Sequence, residues 1–158
     1  MIAFDIRTSL LATILLVALG CFAPATFAET ETESDEKNKF SILVGVTSET
    51  RRDKGPTLGL EYERRLDAVL GVGLLAEHVF GDLDFSILAV PLFFHTGRWK
   101  FLIAPGVEDS DLGTEFLLRI GGDYGFEVGR WEIAPGIDVD FVDGEVVPVI
   151  GVAIGRDF

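Results

Sequence analysis

The sequence predicts an all-β fold in which eight antiparallel strands run up and down and close into a barrel. Three observations predict it. After residue 40 the chain falls into eight segments of alternating apolar and polar residues, which turns containing Gly or Asp separate. No stretch after residue 40 has the 3.6-residue period of a helix. The last segment, 145–158, keeps its alternation up to a terminal aromatic residue, Phe158.

The first 28 residues have the pattern of an export signal. Arg7 precedes an apolar run from Leu10 to Gly20, and small residues lead to Ala28, after which we expect cleavage. Cys21, the only cysteine, lies here in a tetrad that weakly resembles a lipoprotein cleavage box, so lipid anchoring stays open as an alternative. We therefore assign residues 1–28 to a signal peptide, whose removal leaves no cysteine for a disulfide.

Residues 29–39 contain no apolar side chain, so they cannot bury surface and are predicted to form a disordered acidic tail. The barrel domain then covers residues 40–158. The chain carries a net charge of −13, which disfavours nucleic acid as a partner. Because 48% of the residues are hydrophobic and 25% are charged, the two kinds must be sorted onto different faces.

Strands one to three are predicted at 40–48, 56–65 and 68–80. Strand two shows the alternation in its simplest form, with apolar residues at positions 58, 60 and 62 and small or charged residues, such as Glu61, between them. This period of two indicates a strand with two different faces. The glycines and aspartates between the strands favour the backbone conformations that hairpin turns need.

Strands four and five are predicted at 84–95 and 98–108. Strand four is apolar on both faces, so its alternation does not decide which face points inward. Prolines inside predicted strands lack the N–H group that the ladder needs, and we expect bulges or local breaks near them. These prolines are Pro91, Pro105, Pro135 and Pro148.

Strands six to eight are predicted at 114–128, 130–141 and 145–158. In each strand, bulky apolar residues occupy one face and small or charged residues occupy the other. In the last strand every second residue counted back from Phe158 is apolar, except Arg156. We expect this strand to close the barrel.

The aromatic residues indicate which face points outward. A soluble barrel buries its apolar face, whereas a membrane barrel turns that face to lipid. If the chain starts on the periplasmic side, the aromatic residues gather at the two ends of the apolar face, as they do at two bilayer interfaces. This sorting predicts a transmembrane barrel. The inner belt comprises Phe40, Tyr62, Phe93, Trp99, Tyr124, Trp131 and Phe158, and the outer belt comprises Phe80, Phe85, Phe116 and Phe141.

From Phe40 to Phe158 the chain resembles the small eight-stranded bacterial outer-membrane β-barrels of the OmpA- and OmpX-like kind. The export signal, the strand count, the aromatic belts and the terminal Phe158 carry this resemblance. It implies a location in the outer membrane of a Gram-negative cell and contact with outer-membrane lipid. It also implies that the barrel-assembly machinery reads the strand that ends at Phe158. We expect a monomer.

Paired charges are predicted to plug the lumen. Eight strands leave room only for side chains, so a wide channel is not expected. Counting across the turn between strands six and seven places Arg119 opposite Asp140 and diagonal to Asp138. Because a buried charge needs a partner, we expect an ion pair from Arg119 to Asp138 or Asp140. Other charged residues on the same face are Lys100, Glu61 and Asp123.

The outer surface offers one basic cluster, formed by Arg51, Arg52 and Lys54. Lipopolysaccharide phosphates lie at that level and are ligands for arginine and lysine, although a solvated loop is the alternative. The acidic loop 108–113 resembles a calcium loop but lacks the glutamate that an EF-hand requires, so we expect no metal site, and weak binding of a divalent cation stays open as the alternative. The Gly71-Val72-Gly73 run is not followed by a helix, so we expect no nucleotide cofactor.

The predicted role is structural or interaction-based at the cell envelope, without catalytic residues. A lipid A-modifying enzyme is one alternative, since Ser48 or Ser86 lies at a similar height to His78 in the predicted barrel. No His-x-Ser pairing supports it, and a nucleophile needs its base within hydrogen-bond reach. A soluble periplasmic, lipocalin-like binder is the other alternative.

Overall fold

The computed structural model describes residues 37–49 and 54–158. The predicted export signal, most of the acidic tail, and Arg51 and Arg52 lie outside the described residues. No helix in the described part is long and apolar enough to cross a membrane. The strands are β1 (Asn38–Ser48), β2 (Lys54–Arg65), β3 (Leu70–Val79), β4 (Phe85–Ala89), β5 (Leu92–Thr96), β6 (Trp99–Ser110), β7 (Gly113–Tyr124), β8 (Phe126–Val128), β9 (Trp131–Val142) and β10 (Glu145–Asp157).

The described strands form one closed antiparallel barrel of eight walls. β4 and β5 are successive parts of one wall, because both lie between β3 and β6. β7 and β8 likewise both pair with β9. β1 pairs with β10 along nine consecutive positions, from Lys39↔Asp157 to Thr47↔Val149, and so closes the sheet. The predicted fold class is confirmed.

The barrel closes at the two ends of the described chain. The Asn38 N–H donates to the Phe158 carbonyl at 3.2 Å, and the Phe158 N–H donates to the Asn38 carbonyl at 2.8 Å. Asn38 and Lys39 pair with Arg64 and Glu63, so β1 begins two residues before the predicted start. Below, the end that carries Asn38 and Phe158 is called the inner end, following the predicted orientation, and the opposite end is called the outer end.

The apolar face of the barrel points outward, and the small or charged face points into the lumen. A lipocalin-like barrel has the reverse arrangement, so the outward face contradicts that alternative. Exposed aliphatic residues on the outward face include Val44, Leu60, Ile120, Ile137 and Ile150.

Strand four of the prediction is an exception, because its inward face is apolar as well. Phe85, Ile87, Ala89 and Phe93 are buried in a cluster that also contains Leu75. The prediction that Phe85 belongs to the outer belt and Phe93 to the inner belt is therefore wrong. Both faces of this strand are apolar in sequence, so the alternation did not show which face points inward. In the structure its bulky side chains fill the interior of the barrel.

In the described strands the ladder is interrupted near two of the prolines, Pro91 and Pro135. β4 ends and β5 begins around Pro91, where the Val90 N–H donates to the Pro105 carbonyl at 2.9 Å. Because proline has no N–H group, Pro105 cannot donate a hydrogen bond back to Val90, and Pro91 cannot donate one to β3. The two missing hydrogen bonds therefore lie next to each other, at Val90 and Pro91 of the same wall.

At Pro135 the ladder to the neighbouring wall also breaks, because pairing of β7 with β9 ends at Asp123↔Gly136 and resumes only with β8 at Phe126↔Ile133. On the side of β10, Pro135 and Pro148 pair in continuous register with Val152 and Val139, without a bulge.

The tight turn between β2 and β3 is held by one aspartate. The N–H groups of Val69 and Leu70 donate to Asp67 Oδ1 at 2.7 and 2.8 Å. These two backbone bonds stabilise the carboxylate and lower the pKa of Asp67. An Asx-type bond of this kind fixes the hairpin at the inner end.

Candidate functional site

Arg119 forms the central charge cluster of the lumen. Its side chain is 1% exposed. Its Nε and Nη2 donate to the two oxygens of Asp140 at 2.6 and 2.7 Å, and its Nη1 and Nη2 donate to those of Glu77 at 2.9 and 2.8 Å. One guanidinium thus makes paired bonds to two carboxylates, the geometry that arginine favours.

Of the two predicted partners, only Asp140 is bonded to Arg119. Within the described residues Asp138 makes no ion pair, because Glu77 and Asp140 already occupy the guanidinium donors. The Asp138 carboxylate instead lies over Gly121, where an added Cβ would clash with it. Asp138 and Asp123 line a lumen cavity of about 30 Å³.

Lys100 forms a second cluster, which lies closer to the inner end than the Arg119 cluster. Its Nζ lies 2.7 Å from Glu61 Oε1 and 3.2 Å from Asp123 Oδ2. The same ammonium lies 4.9 Å from the centre of the Phe93 ring. The three predicted residues Lys100, Glu61 and Asp123 are therefore brought together, with an aromatic ring that the sequence had placed on the outer face.

A third cluster at the inner end joins residues that the sequence reading did not select. His95 Nε2 lies 2.6 Å from Glu63 Oε1, and Arg65 Nε lies 3.3 Å from the same oxygen. Lys39 pairs with Glu132. Lys39 was missed because it was assigned to the tail, and His95 because the phase of its strand was open. Glu77 and Glu63 were within reach of the sequence argument, since each alternates with apolar outward residues.

The outward aromatic residues lie near the two ends of the barrel. At the inner end the rings of Trp99 and Tyr124 are 5.0 Å apart, and that of Phe126 is 5.0 Å from Tyr124. Tyr62 donates its hydroxyl to Asn38 at 2.8 Å. Exposed or half-buried outward aromatics at the predicted belt positions are Phe40, Tyr62, Trp99, Tyr124, Trp131 and Phe158 at the inner end and Phe80, Phe116 and Phe141 at the outer end.

The outward face also carries one polar group near its outer end. His78 of β3 and Ser86 of β4 are direct cross-strand partners, and His78 Nδ1 lies 2.9 Å from Ser86 Oγ. Asp84 Oδ1 lies 3.5 Å from His78 Nε2. Counting across the hairpin turn pairs His78 with Ser86, but the sequence reading did not make this count. Lys54 is exposed at the start of β2.

The described residues contain no group of three or more His, Cys, Asp or Glu side chains that would hold a metal ion. The clusters above are ion pairs and hydrogen bonds among side chains. Two of their oxygens, Glu63 Oε2 and Asp123 Oδ1, are buried without a hydrogen-bond partner in the described part of the chain.

Comparisons with known proteins identify the fold. No protein-family model matches the chain, and neither does any curated protein sequence. The N-terminal β-barrel domain of Pseudomonas aeruginosa OprF matches with a TM-score of 0.54 and 12% identity, over 77% of this chain and 98% of that one. Ail, the attachment invasion locus protein of Yersinia pestis, matches with a TM-score of 0.51 and 16% identity, over 77% and 99%.

A de novo designed transmembrane β-barrel matches to the same degree, with a TM-score of 0.51 and 11% identity, over 79% of this chain and 99% of that one. At such low identity these matches establish the fold, and the outer membrane is the location that this fold and its apolar outward face support. The closed barrel is thus that of the small eight-stranded outer-membrane β-barrels, as the sequence resemblance implied.

Proposed function

We propose that this chain is an outer-membrane barrel whose lumen is plugged by its own side chains and whose role at the envelope is structural or interaction-based. The observation that carries the proposal is the Arg119 cluster. Arg119 of β7 bonds to Glu77 of β3, and two walls, β4/β5 and β6, separate these strands around the barrel. The bonded side chains therefore cross the lumen.

The second cluster supports the same reading. Lys100 of β6 reaches Glu61 of β2, and again two walls lie between their strands. The cavity beside these clusters, about 30 Å³, has room for about two water molecules. A barrel filled in this way acts through its surfaces rather than as a wide pore.

Conductance across a planar lipid bilayer tests this proposal. The refolded full chain should insert, migrate differently in gels before and after heating, and show no stable wide-pore conductance. A Glu77→Ala, Arg119→Ala, Asp140→Ala variant removes the central cluster and should leak measurably more. A large, stable conductance of the unmodified protein would contradict the plugged lumen.

We also propose that Arg51, Arg52 and Lys54 contact lipopolysaccharide phosphates at the outer end. Lys54 is exposed there, and arginine and lysine form charge-assisted bonds with phosphate. Replacing all three with Gln should weaken binding of the refolded protein to lipopolysaccharide, measured by co-sedimentation. Arg64→Gln, an exposed change at the inner end, is the control. Equal binding by the two variants would contradict the contact.

A further inference from the structure

The hairpin of β3 and β4 brings three chemically matched residues together on the outward face. His78 and Ser86 are cross-strand partners, so their side chains project to the same side of the sheet. Asp84 lies in the preceding turn, with a backbone φ of 35°, a left-handed conformation that few residues other than glycine adopt. Aspartate tolerates this conformation better than most, and its carboxylate lies beside the imidazole.

The arrangement has the order of contacts that activates a serine. Ser86 Oγ lies 2.9 Å from His78 Nδ1, and His78 Nε2 lies 3.5 Å from Asp84 Oδ1. The carboxylate favours the tautomer in which Nε2 carries the hydrogen, and Nδ1 is then free to accept the Ser86 proton. The distance to Asp84 is that of an ion pair rather than a hydrogen bond, and such contacts often tighten only when substrate binds.

The ring of His78 is further held by an aromatic contact. The Phe80 ring meets it edge-on, with centroids 4.3 Å apart and planes at 84°. The imidazole side chain is still 38% exposed, and that of Asp84 is 72% exposed. A substrate therefore has access to the serine and histidine from the lipid side, while water has access from the turn.

We propose that Ser86, His78 and Asp84 form a serine hydrolase site for fatty-acyl esters of membrane lipids. Ser86 Oγ attacks the ester carbonyl carbon while His78 Nδ1 takes its proton. The carbon–oxygen bond to the alcohol then breaks, and the alcohol leaves with that proton. Water attacks the acyl-serine, again giving a proton to Nδ1, and the fatty acid leaves as Ser86 regains its proton. The balance is ester plus water to fatty acid plus alcohol.

The neighbouring surface indicates the substrate class. One row nearer the middle of the barrel, the outward face is a continuous apolar row across β2, β3 and β4, formed by Leu60, Ala76 and Leu88. Ala76 is the smallest of the three and is exposed between the two leucines. An acyl chain lying on this row places its ester at the height of Ser86, next to the polar turn. Asp109 is the partner of Ser86 on its other side.

A fluorophosphonate probe and p-nitrophenyl decanoate in mixed micelles test the activity of the refolded full chain. The unmodified protein should be labelled at Ser86 and should hydrolyse the ester. Ser86→Ala should abolish both signals, and His78→Gln should lower the rate by about 100-fold or more. Asp84→Asn should lower the rate while its heat-modifiable migration stays normal.

Ser110→Ala is the matched control. Ser110 lies at the same end of the barrel, but its hydroxyl contacts only backbone groups of Leu112 and Gly113. This variant should keep full labelling and activity. Absence of labelling and of hydrolysis in the unmodified, correctly folded protein would overturn the proposal. The conductance test of the plugged lumen is independent of that result.

Two further experiments determine which membrane lipid supplies the ester. Phospholipid vesicles and purified lipopolysaccharide are each incubated with the unmodified protein and with Ser86→Ala, and free fatty acid is measured by mass spectrometry. Release from either lipid that depends on Ser86 supports the site and identifies its substrate. Release from neither lipid contradicts an action on membrane lipids.

Discussion

Two sides of the barrel fill the lumen in opposite ways, and each of these sides, although it consists of two adjacent walls, is called a single wall below. The apolar wall, formed by β3, β4 and β5, turns residues such as Leu75, Phe85 and Phe93 inward. The charged wall, formed by β7 and β9, turns Arg119 and Asp140 inward and keeps its outward face apolar. The walls meet where Glu77, the charged exception on β3, reaches Arg119.

This difference has a consequence on the outside of the barrel. On the charged wall, charges have a lumen in which to pair, so the outward face is free to be apolar throughout. On the apolar wall, the lumen side is taken by bulky residues. Polar side chains at its outer end, His78 and Ser86, therefore point outward. The candidate hydrolase site lies on the wall whose two faces are both largely apolar.

The largest effect is expected from breaking the junction of the two walls. Arg119→Ala leaves the buried carboxylates of Glu77 and Asp140 without their cation. We expect a loss of about 3–5 kcal/mol in the free energy of unfolding, the cost of uncompensated buried charge. Urea unfolding in detergent micelles measures it, with Arg156→Ala on the exposed outward face as the control.

A triple variant sharpens that result. Replacing Arg119, Glu77 and Asp140 together with Leu removes the charges along with their desolvation cost, so most of the lost stability should return. If the triple variant is as unstable as Arg119→Ala, packing rather than charge compensation explains the first effect.

The next largest effect distinguishes a leucine that faces the lumen from a leucine that faces outward on the neighbouring strand. Leu75 is 1% exposed in the apolar wall, whereas Leu60 is 49% exposed on the outward face of β2. Leu75→Ala should cost about 2–5 kcal/mol, because it leaves a cavity in a packed interior. Leu60→Ala should cost less, since lipid or detergent fills the space. Equal losses in urea unfolding would show that the apolar wall is not a packed core.

The charged wall shows how much of the fold follows from sequence. Its strands have one bulky apolar face and one small or charged face, so strand positions and facing are both determined by a period of two. The apolar wall lacks that contrast: Phe85 and Phe93 were assigned outward because aromatic residues favour membrane interfaces. The need to fill a narrow lumen overrode this preference, and Gly73 leaves the space into which Phe93 packs.

The contacts of the candidate sites also differ in how far they could be predicted from the sequence. The Arg119–Asp140 pair lies within one hairpin, where register can be counted from the turn. The contact from Arg119 to Glu77 crosses the barrel, and only the closed structure brings β3 opposite β7. The Ser86–His78 contact is again local to one hairpin, but its recognition required knowing that β4 turns Ser86 outward.

A smaller effect, on assembly rather than on stability, is expected at the closing strand. Phe158 is exposed at the inner end, while its backbone bonds to Asn38 close the barrel. Phe158→Ala keeps those bonds, so the refolded protein should be as stable as the unmodified one. Its amount in the outer membrane of growing cells should fall, measured by fractionation, if the assembly machinery reads the ring. Phe126→Ala, another exposed inner-end ring, should leave the amount unchanged.

The smallest effect concerns the turn that leads into the apolar wall. Two backbone N–H groups lower the pKa of Asp67, so the ionised form stabilises the folded turn. Such a carboxylate contributes stability above its unfolded pKa and loses that contribution as the pH falls through its folded pKa. Asp67→Asn should therefore be less stable than the unmodified protein near neutral pH, and the difference should shrink in acid.

Unfolding midpoints measured from pH 7 down to about pH 3 test this sign, because the usual aspartate pKa lies near the lower end of that range. Asp82→Asn, in the exposed turn between β3 and β4, is the control and should show no such trend. A gap between Asp67→Asn and the unmodified protein that widens in acid would mean that the amide, rather than the charge, determines the turn. In that case neither of the two turns that flank β3 would be stabilised by the charge of its aspartate.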